Sequence, residues 1–119
     1  MKVLIVSDTH GRHAGIEEAI NREYPFQKLI HLGDAEGYED YIADLAECPI
    51  EIVSGNNDFF SDLPEEKIVF IDDFCALITH GHMYGVSMGY QQIREEGLSR
   101  GVDAVMFGHT HRPLLEEDD

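Results

Sequence analysis

"KVLIVSDTH", residues 2–10, decides how this chain is read. Residues 2–7 form a short run rich in apolar and β-branched side chains, which predicts a buried strand. The run passes without a spacer into Asp8-Thr9-His10, where two side chains can bind a metal or move a proton. The same juxtaposition recurs downstream. Residues 28–32 (KLIHL) and 50–53 read as further strands, followed at once by Gly33-Asp34 and by Gly55-Asn56-Asn57-Asp58. Between the strands, Ile16, Ala19 and Ile20 share one face of a helix containing residues 16–22, which Pro25 ends. A second helix covers residues 39–46, with Tyr41, Ile42 and Leu45 turned inward. This βαβαβ rhythm predicts a parallel sheet covered by helices.

The pattern changes after Asn57. Residues 67–71 (KIVFI) and 75–79 (CALIT) read as a hairpin turning at Asp72-Asp73. A helix is expected over residues 87–99, with Ser87 as N-cap and Gly101 as its stop. Residues 104–107 form a last strand. No repeat or linker interrupts the chain, so residues 1–119 read as one domain. The last two strand runs also end in chemistry, at His80-Gly81-His82 and at Gly108-His109-Thr110-His111. In α/β sheets ligands bind beyond the carboxyl ends of the strands, so parallel strands would bring these clusters to one edge. Each cluster alone is ordinary turn composition; metal-capable side chains at all five strand ends are not.

The balance of 8 basic and 24 acidic residues, net −16, disfavours a long nucleic acid as partner, because no basic stripe exists to hold phosphates. No apolar run is long enough for a membrane span, and the N-terminus lacks the regions of a signal peptide. Cys48 and Cys75 stand apart without metal-type spacing and read as buried thiols in a reducing compartment, so a cytoplasmic protein is expected. Asp8 and His10 are an i, i+2 pair. On an extended segment their side chains would lie on one face, ~6.6 Å apart along the chain, and could converge on one cation. His109 and His111 share that spacing and could do likewise. Carboxylate, imidazole and amide oxygen without thiolate suit Mn²⁺, Fe²⁺, Co²⁺ or Zn²⁺ in a reactive site better than structural zinc.

Taken in order, Asp8-Thr9-His10, Gly33-Asp34, Gly55-Asn56-Asn57-Asp58, Thr79-His80-Gly81-His82 and Gly108-His109-Thr110-His111 resemble the motif set of the calcineurin-like metallophosphoesterases, in particular the small bacterial and archaeal phosphodiesterases of the YfcE/MJ0936-like type. The match runs from residue 1 to about 113. The resemblance implies an α/β fold, an α-β-β-α sandwich of two mixed sheets flanked by helices, with the strands that relatives carry beyond this point missing. It implies a metal-dependent phosphoesterase that hydrolyses phosphodiesters through a dinuclear centre and a bridging hydroxide. Asp8, His10 and His111 would hold the first metal, Asn56, His80 and His109 the second, and Asp34 would bridge them and hold the hydroxide. The ions would be two divalent cations, Mn²⁺ foremost among Mn²⁺, Ni²⁺, Co²⁺, Fe²⁺ and Zn²⁺. Two such ions, less the bridging hydroxide and two carboxylates, leave about +1 in the site, a local place for a phosphodiester or nucleotide-like anion. A homodimer is compatible with the family.

Other residues divide between a role and none. Arg12 and Arg112 could each contact phosphate bidentately or be solvated. His82 could orient a phosphate oxygen, protonate the leaving group, or lie outside the chemistry. His31 is either packed beneath the site or turned away, and no role is assigned to it; His13 reads as surface. Many relatives carry histidine where this chain has Asn57, and asparagine cannot act as an acid near neutral pH. Asn57 is therefore kept as a residue of the site loop, hydrolysis of monoesters with poor leaving groups is disfavoured, and Asp58 is expected to fix the loop through backbone amides. Two alternatives stand beside the diesterase: a phosphomonoesterase or nucleotide phosphatase, and a non-catalytic scaffold, like the retromer subunit that shares the fold with an incomplete metal set. Seven expected ligands favour catalysis.

Overall fold

A computed structural model describes residues 2–10, 13–58 and 62–109 of the chain. Its first half is the expected alternation of strands and helices: β1 (Val3–Val6), α1 (His13–Glu23), β2 (Lys28–His31), α2 (Glu39–Ala46) and β3 (Ile50–Ile52). These strands pair in the order β1-β2-β3, parallel throughout, with Val6 opposite His31 and His31 opposite Ile52. Successive side chains of β2 point to opposite faces, and both faces are buried. Leu29 enters a cluster with Ile16, Ile20, Ile42 and Ala46 from the two helices, and Ile30 packs on the other side with Leu32, Val53, Val69, Ala76 and Ile78. A central parallel strand must be apolar on both sides, which is why KLIHL shows no polar alternation.

The second half forms β4 (Glu66–Ile71), β5 (Phe74–Thr79), two 3₁₀ turns (His82–Tyr84 and Val86–Met88), α3 (Gln91–Arg100) and β6 (Ala104–Met106). β4 and β5 are an antiparallel hairpin closed by Asp72-Asp73, with Asp72 at φ 56°, the positive value that the primed hairpin turns take at their first central position. β5 then pairs parallel with β6. Val69, Ala76 and Ile78 face the first sheet, and β6 sends Ala104 and Met106 against the same core. On the outer side Gly97 of α3 lets the helix approach β6: a Cβ there would meet Val105 Cγ2 at 2.4 Å. The layers are therefore helices, sheet, sheet and helix, as the motifs implied.

The first sheet is parallel throughout the described residues, as the βαβαβ rhythm predicts, because both of its crossovers carry helices, and the second is mixed. One expectation is corrected. The helix expected from residue 87 starts at Gln91. Residues 86–88 make a 3₁₀ turn instead, and Gly89 at φ 141° takes a backbone conformation no α-helix contains, so the Ser87 cap is never used. Gly101 does end the helix, left-handed at φ 68° with its N–H on the carbonyls of Gly97 and Leu98. Cys48 and Cys75 are free, half-buried thiols. No helix among the described residues is long and apolar enough to cross a membrane.

Candidate metal centre

The ends of five strands meet at one edge of the sandwich, and backbone hydrogen bonds hold them there. The N–H of Asp8 donates to Gly33 O and that of His10 to Asp34 O, both at 2.9 Å, which ties the turn after β1 to the turn after β2. The N–H of Gly108 donates to His80 O at 3.1 Å, tying the end of β6 to the end of β5. The two sheets are joined through a side chain: His80 Nδ1 lies 2.8 Å from Leu32 O, with the ring fully buried. A carbonyl only accepts, so Nδ1 carries the proton and Nε2 presents its lone pair.

That lone pair faces the ligand set. His80 Nε2 is 3.3 Å from Asp34 Oδ2, 3.6 Å from Asp8 Oδ1 and 3.2 Å from His109 Nδ1. His10 Nε2 reaches the same carboxylates, 3.7 Å from Asp8 Oδ1 and 3.8 Å from Asp34 Oδ2. Donors bound ~2.1 Å from one ion lie about 3–3.5 Å apart, so these groups lie close enough to hold a cation in common. Asp8, Asp34 and His80 alone offer three ligand atoms within 4.8 Å of one another. The chemistry of the donors fits a hard or borderline divalent ion. Asn56 sits exposed in the turn after β3 at this edge. His111, Arg12 and Arg112 lie outside the described residues.

The route by which Asp8 and His10 converge differs from the expectation. They do not sit on an extended segment. Both are left-handed, at φ 55° and 49°, as are Asp34 at 64° and His109 at 70°. For residues with a Cβ this conformation costs about 1 kcal/mol or more each. The backbone bonds just described offset it, and curling the chain at each strand end turns the side chain back over the sheet edge. Glycine closes the remaining space. A Cβ on Gly55 would lie 2.2 Å from Asp34 Oδ1, and one on Gly108 would lie 2.6 Å from Asp8 Oδ2. The glycines of these motifs thus make room for the ligands themselves.

Asp34 and Asp58 bind each other's loops reciprocally. Asp58 Oδ2 accepts the N–H groups of Asp34 at 2.7 Å and Gly55 at 2.8 Å, and its Oδ1 accepts that of Glu36 at 2.6 Å. Asn57 answers with its backbone N–H on Asp34 Oδ1 at 2.8 Å and its Nδ2 on Asp34 Oδ2 at 3.2 Å. Asp58 therefore fixes the loop as expected, and Asn57 orients the carboxylate of Asp34.

Two further histidines have distinct places. His31 is fully buried beneath the site. The N–H of Gly33 donates to its Nδ1 at 3.1 Å, so Nε2 carries the proton and donates to Thr9 Oγ1, also at 3.1 Å. Burial pushes its pKa down to about 4, against the opposing pull of the Asp58 and Asp8 carboxylates. It is a neutral strut between the first two ligand turns, a role its sequence position did not disclose. His82 opens the first 3₁₀ turn, its ring centroid 5.5 Å from that of His80 and 6.2 Å from that of His109. Burial, and next to it these two rings, hold its pKa below the usual imidazole value. Its turn is anchored from outside by Tyr84, whose hydroxyl donates to Glu66, the partner of Arg100.

The model of the calcineurin-like phosphoesterase superfamily domain matches residues 1–119. A probable metallophosphoesterase of Bacillus subtilis, YsnB, is 33% identical over 112 residues, covering 93% of this chain and 64% of the relative. The phosphodiesterase MJ0936 of Methanocaldococcus jannaschii is 33% identical over 138 residues, covering all of this chain and 78% of that protein. The chain thus spans somewhat under two thirds of YsnB. Among solved structures, the Vps29 of Entamoeba histolytica in complex with zinc superposes with a TM-score of 0.82 at 22% identity, covering 99% of this chain and 69% of that one. A full-length match to the domain, joined to strand-end ligands at cation-sharing distances, means that the chain belongs to the calcineurin-like phosphoesterase superfamily.

Proposed function

We propose that this chain hydrolyses phosphodiesters with two divalent cations, of which Mn²⁺ is the first candidate. The observation that carries the reading is the convergence of two carboxylates on both His10 and His80. Asp34 Oδ2 approaches His10 Nε2 and His80 Nε2 at 3.8 and 3.3 Å, Asp8 Oδ1 approaches them at 3.7 and 3.6 Å, and the family motifs assign these rings to different metals and the bridge to Asp34. One carboxylate serving both is what a bridging ligand requires. Asp8, His10 and His111 would hold one cation, and Asn56, His80 and His109 the other. Bound there, the ions would supply Lewis acidity, turning a water into the hydroxide nucleophile and offsetting charge on a phosphoryl oxygen.

The chain's own residues do the rest. Asp58 holds the Asp34 backbone and Asn57 its carboxylate, and the Leu32 carbonyl holds His80 with Nε2 inward. Burial lowers the pKa of His82 and so favours its neutral form, whose ring N–H is suited to orienting a phosphoryl oxygen. Asn57 supplies no proton near neutral pH. A small phosphodiester or nucleotide-like substrate with a leaving group that departs unaided suits such a site. The phosphodiesterase name of MJ0936 supports this reading.

The test is metal analysis together with hydrolysis of bis-p-nitrophenyl phosphate and p-nitrophenyl phosphate. Two ions per chain, activity with Mn²⁺ that EDTA abolishes, and faster diester turnover are expected. Faster monoester turnover would point to a phosphomonoesterase. The likeness to Vps29 favours a scaffold as the second reading, and no turnover with Mn²⁺, Ni²⁺, Co²⁺, Zn²⁺ or Fe²⁺ would select it.

A further inference from the structure

The His10 ring is held at both ends, and one of the holding groups belongs to no motif. Its Nε2 faces Asp8 Oδ1 and Asp34 Oδ2, at 3.7 and 3.8 Å. Its Nδ1 lies 3.2 Å from Glu36 Oε2. An ionised carboxylate only accepts, so Nδ1 carries the proton and donates to Glu36, leaving the Nε2 lone pair aimed at the carboxylates. Glu36 is itself placed with some strain. Its backbone is left-handed at φ 55°, and its N–H is on Asp58 Oδ1 at 2.6 Å. The clamp that fixes Asp34 thus also sets the point from which the Glu36 side chain reaches His10.

His80 is oriented in the same sense by a different group, the neutral carbonyl of Leu32, inside the protein. His10 is partly exposed, its side chain at 23%, and the Glu36 carboxylate reaches it there. A carboxylate behind a ligating imidazole fixes its tautomer and ring angle and strengthens donation from the other nitrogen. The two histidines that the motifs assign to different metals therefore differ in what stands behind them, a full charge for one and a carbonyl dipole for the other.

We propose that Glu36 is a positioning residue for His10, holding Nε2 toward Asp8 and Asp34 and so strengthening the hold on one cation of the pair with little effect on the other. The inference rests on the two-metal reading above, and its test separates the two. The full chain and its Glu36→Ala and Glu36→Gln variants are compared in two measurements. The first is ¹⁵N NMR of the metal-free protein at pH 7.5, which reads the His10 tautomer. The second is calorimetric titration with Zn²⁺ and with Mn²⁺.

In the wild type His10 should be protonated at Nδ1. Glu36→Ala should shift it toward the Nε2–H form and weaken one of two binding steps by about 10–100-fold, leaving the other within about threefold. Glu36→Gln keeps an acceptor oxygen without the charge, so it should retain the tautomer and weaken the same step by less. An unchanged tautomer in Glu36→Ala overturns the proposal, and so does equal weakening of both steps, which would mean a loop effect alone. Should the wild type bind one ion or none, the two-metal reading fails, while the tautomer of the metal-free protein still decides whether Glu36 positions His10.

Discussion

Replacing Asp58 by asparagine tests the loop clamp directly. The carboxylate accepts three backbone N–H groups, two on Oδ2 and one on Oδ1, at 2.6–2.8 Å. Hydrogen bonds to a charged acceptor contribute about 1.5–3 kcal/mol each, and neutral ones about 0.5–1.5. With the amide oxygen kept at the two-donor position, the bonds from Asp34 and Gly55 lose charge assistance, about 1 kcal/mol apiece. The side-chain NH₂ then faces the N–H of Glu36, donor against donor. That contact is near solvent, so water takes part of the loss and about 1 kcal/mol remains. The expected destabilisation is ~3 kcal/mol, a large share of the 5–15 kcal/mol typical of a domain. For a chain of this size it amounts to about 10–15 °C in Tm. Urea unfolding of the metal-free protein should show the midpoint falling with the slope m unchanged. A midpoint within about 0.5 kcal/mol of wild type would refute the clamp, because no arrangement of an asparagine satisfies all three donors.

The other predictions concern the ligands and the strut beneath them. Asp34→Asn should lose both cations, since the family motifs make it the bridge and its Oδ2 lies near both His10 and His80, and metal analysis that still finds two ions would end the bridging role. Gly108→Ala puts a Cβ 2.6 Å from Asp8 Oδ2, so metal affinity should fall by about tenfold or more from the displaced ligand, and unchanged affinity would contradict the packing described. His31, with its folded pKa near 4, should stay neutral at pH 5.5 by NMR. The unfolded chain binds a proton at this residue below about pH 6.5 and the folded chain does not. Its contribution is therefore complete above pH 6.5 and is lost as the pH falls toward 4, by ~3 kcal/mol at most. A titration step for His31 near 6.5 in the folded protein would show that it is not the buried, neutral strut described.

Much of the fold is legible in the chain because burial imposes a period. A largely apolar run marks β2 as a strand buried on both faces, and the 3.6-residue stripe marks α1 and α2. The start of α3 is not legible. A serine before a helical pattern is an ordinary cap signal, and the positive φ of Gly89, which follows the second 3₁₀ turn, cancels it. The candidate ligands were visible as residue types at strand ends, whereas the way Asp8 and His10 meet was not, since their backbone N–H groups bond to partners in another loop.

By itself the sequence determined the list of metal-capable groups, their attachment to strand ends, and the absence of a proton donor at Asn57, because these follow from residue type and from the two periodicities. Tertiary structure alone decided which groups support the ligands. Glu36, His31 and the Leu32 carbonyl act across 22 to 48 residues of chain, and Asp58, expected to fix its own loop, also reaches Asp34 and Glu36 in another. No local pattern encodes such a pairing. Hydrogen-bond direction is set by where folding places a donor, and it is these second partners, with Asn57, that fix the His10, His80 and Asp34 side chains toward one another.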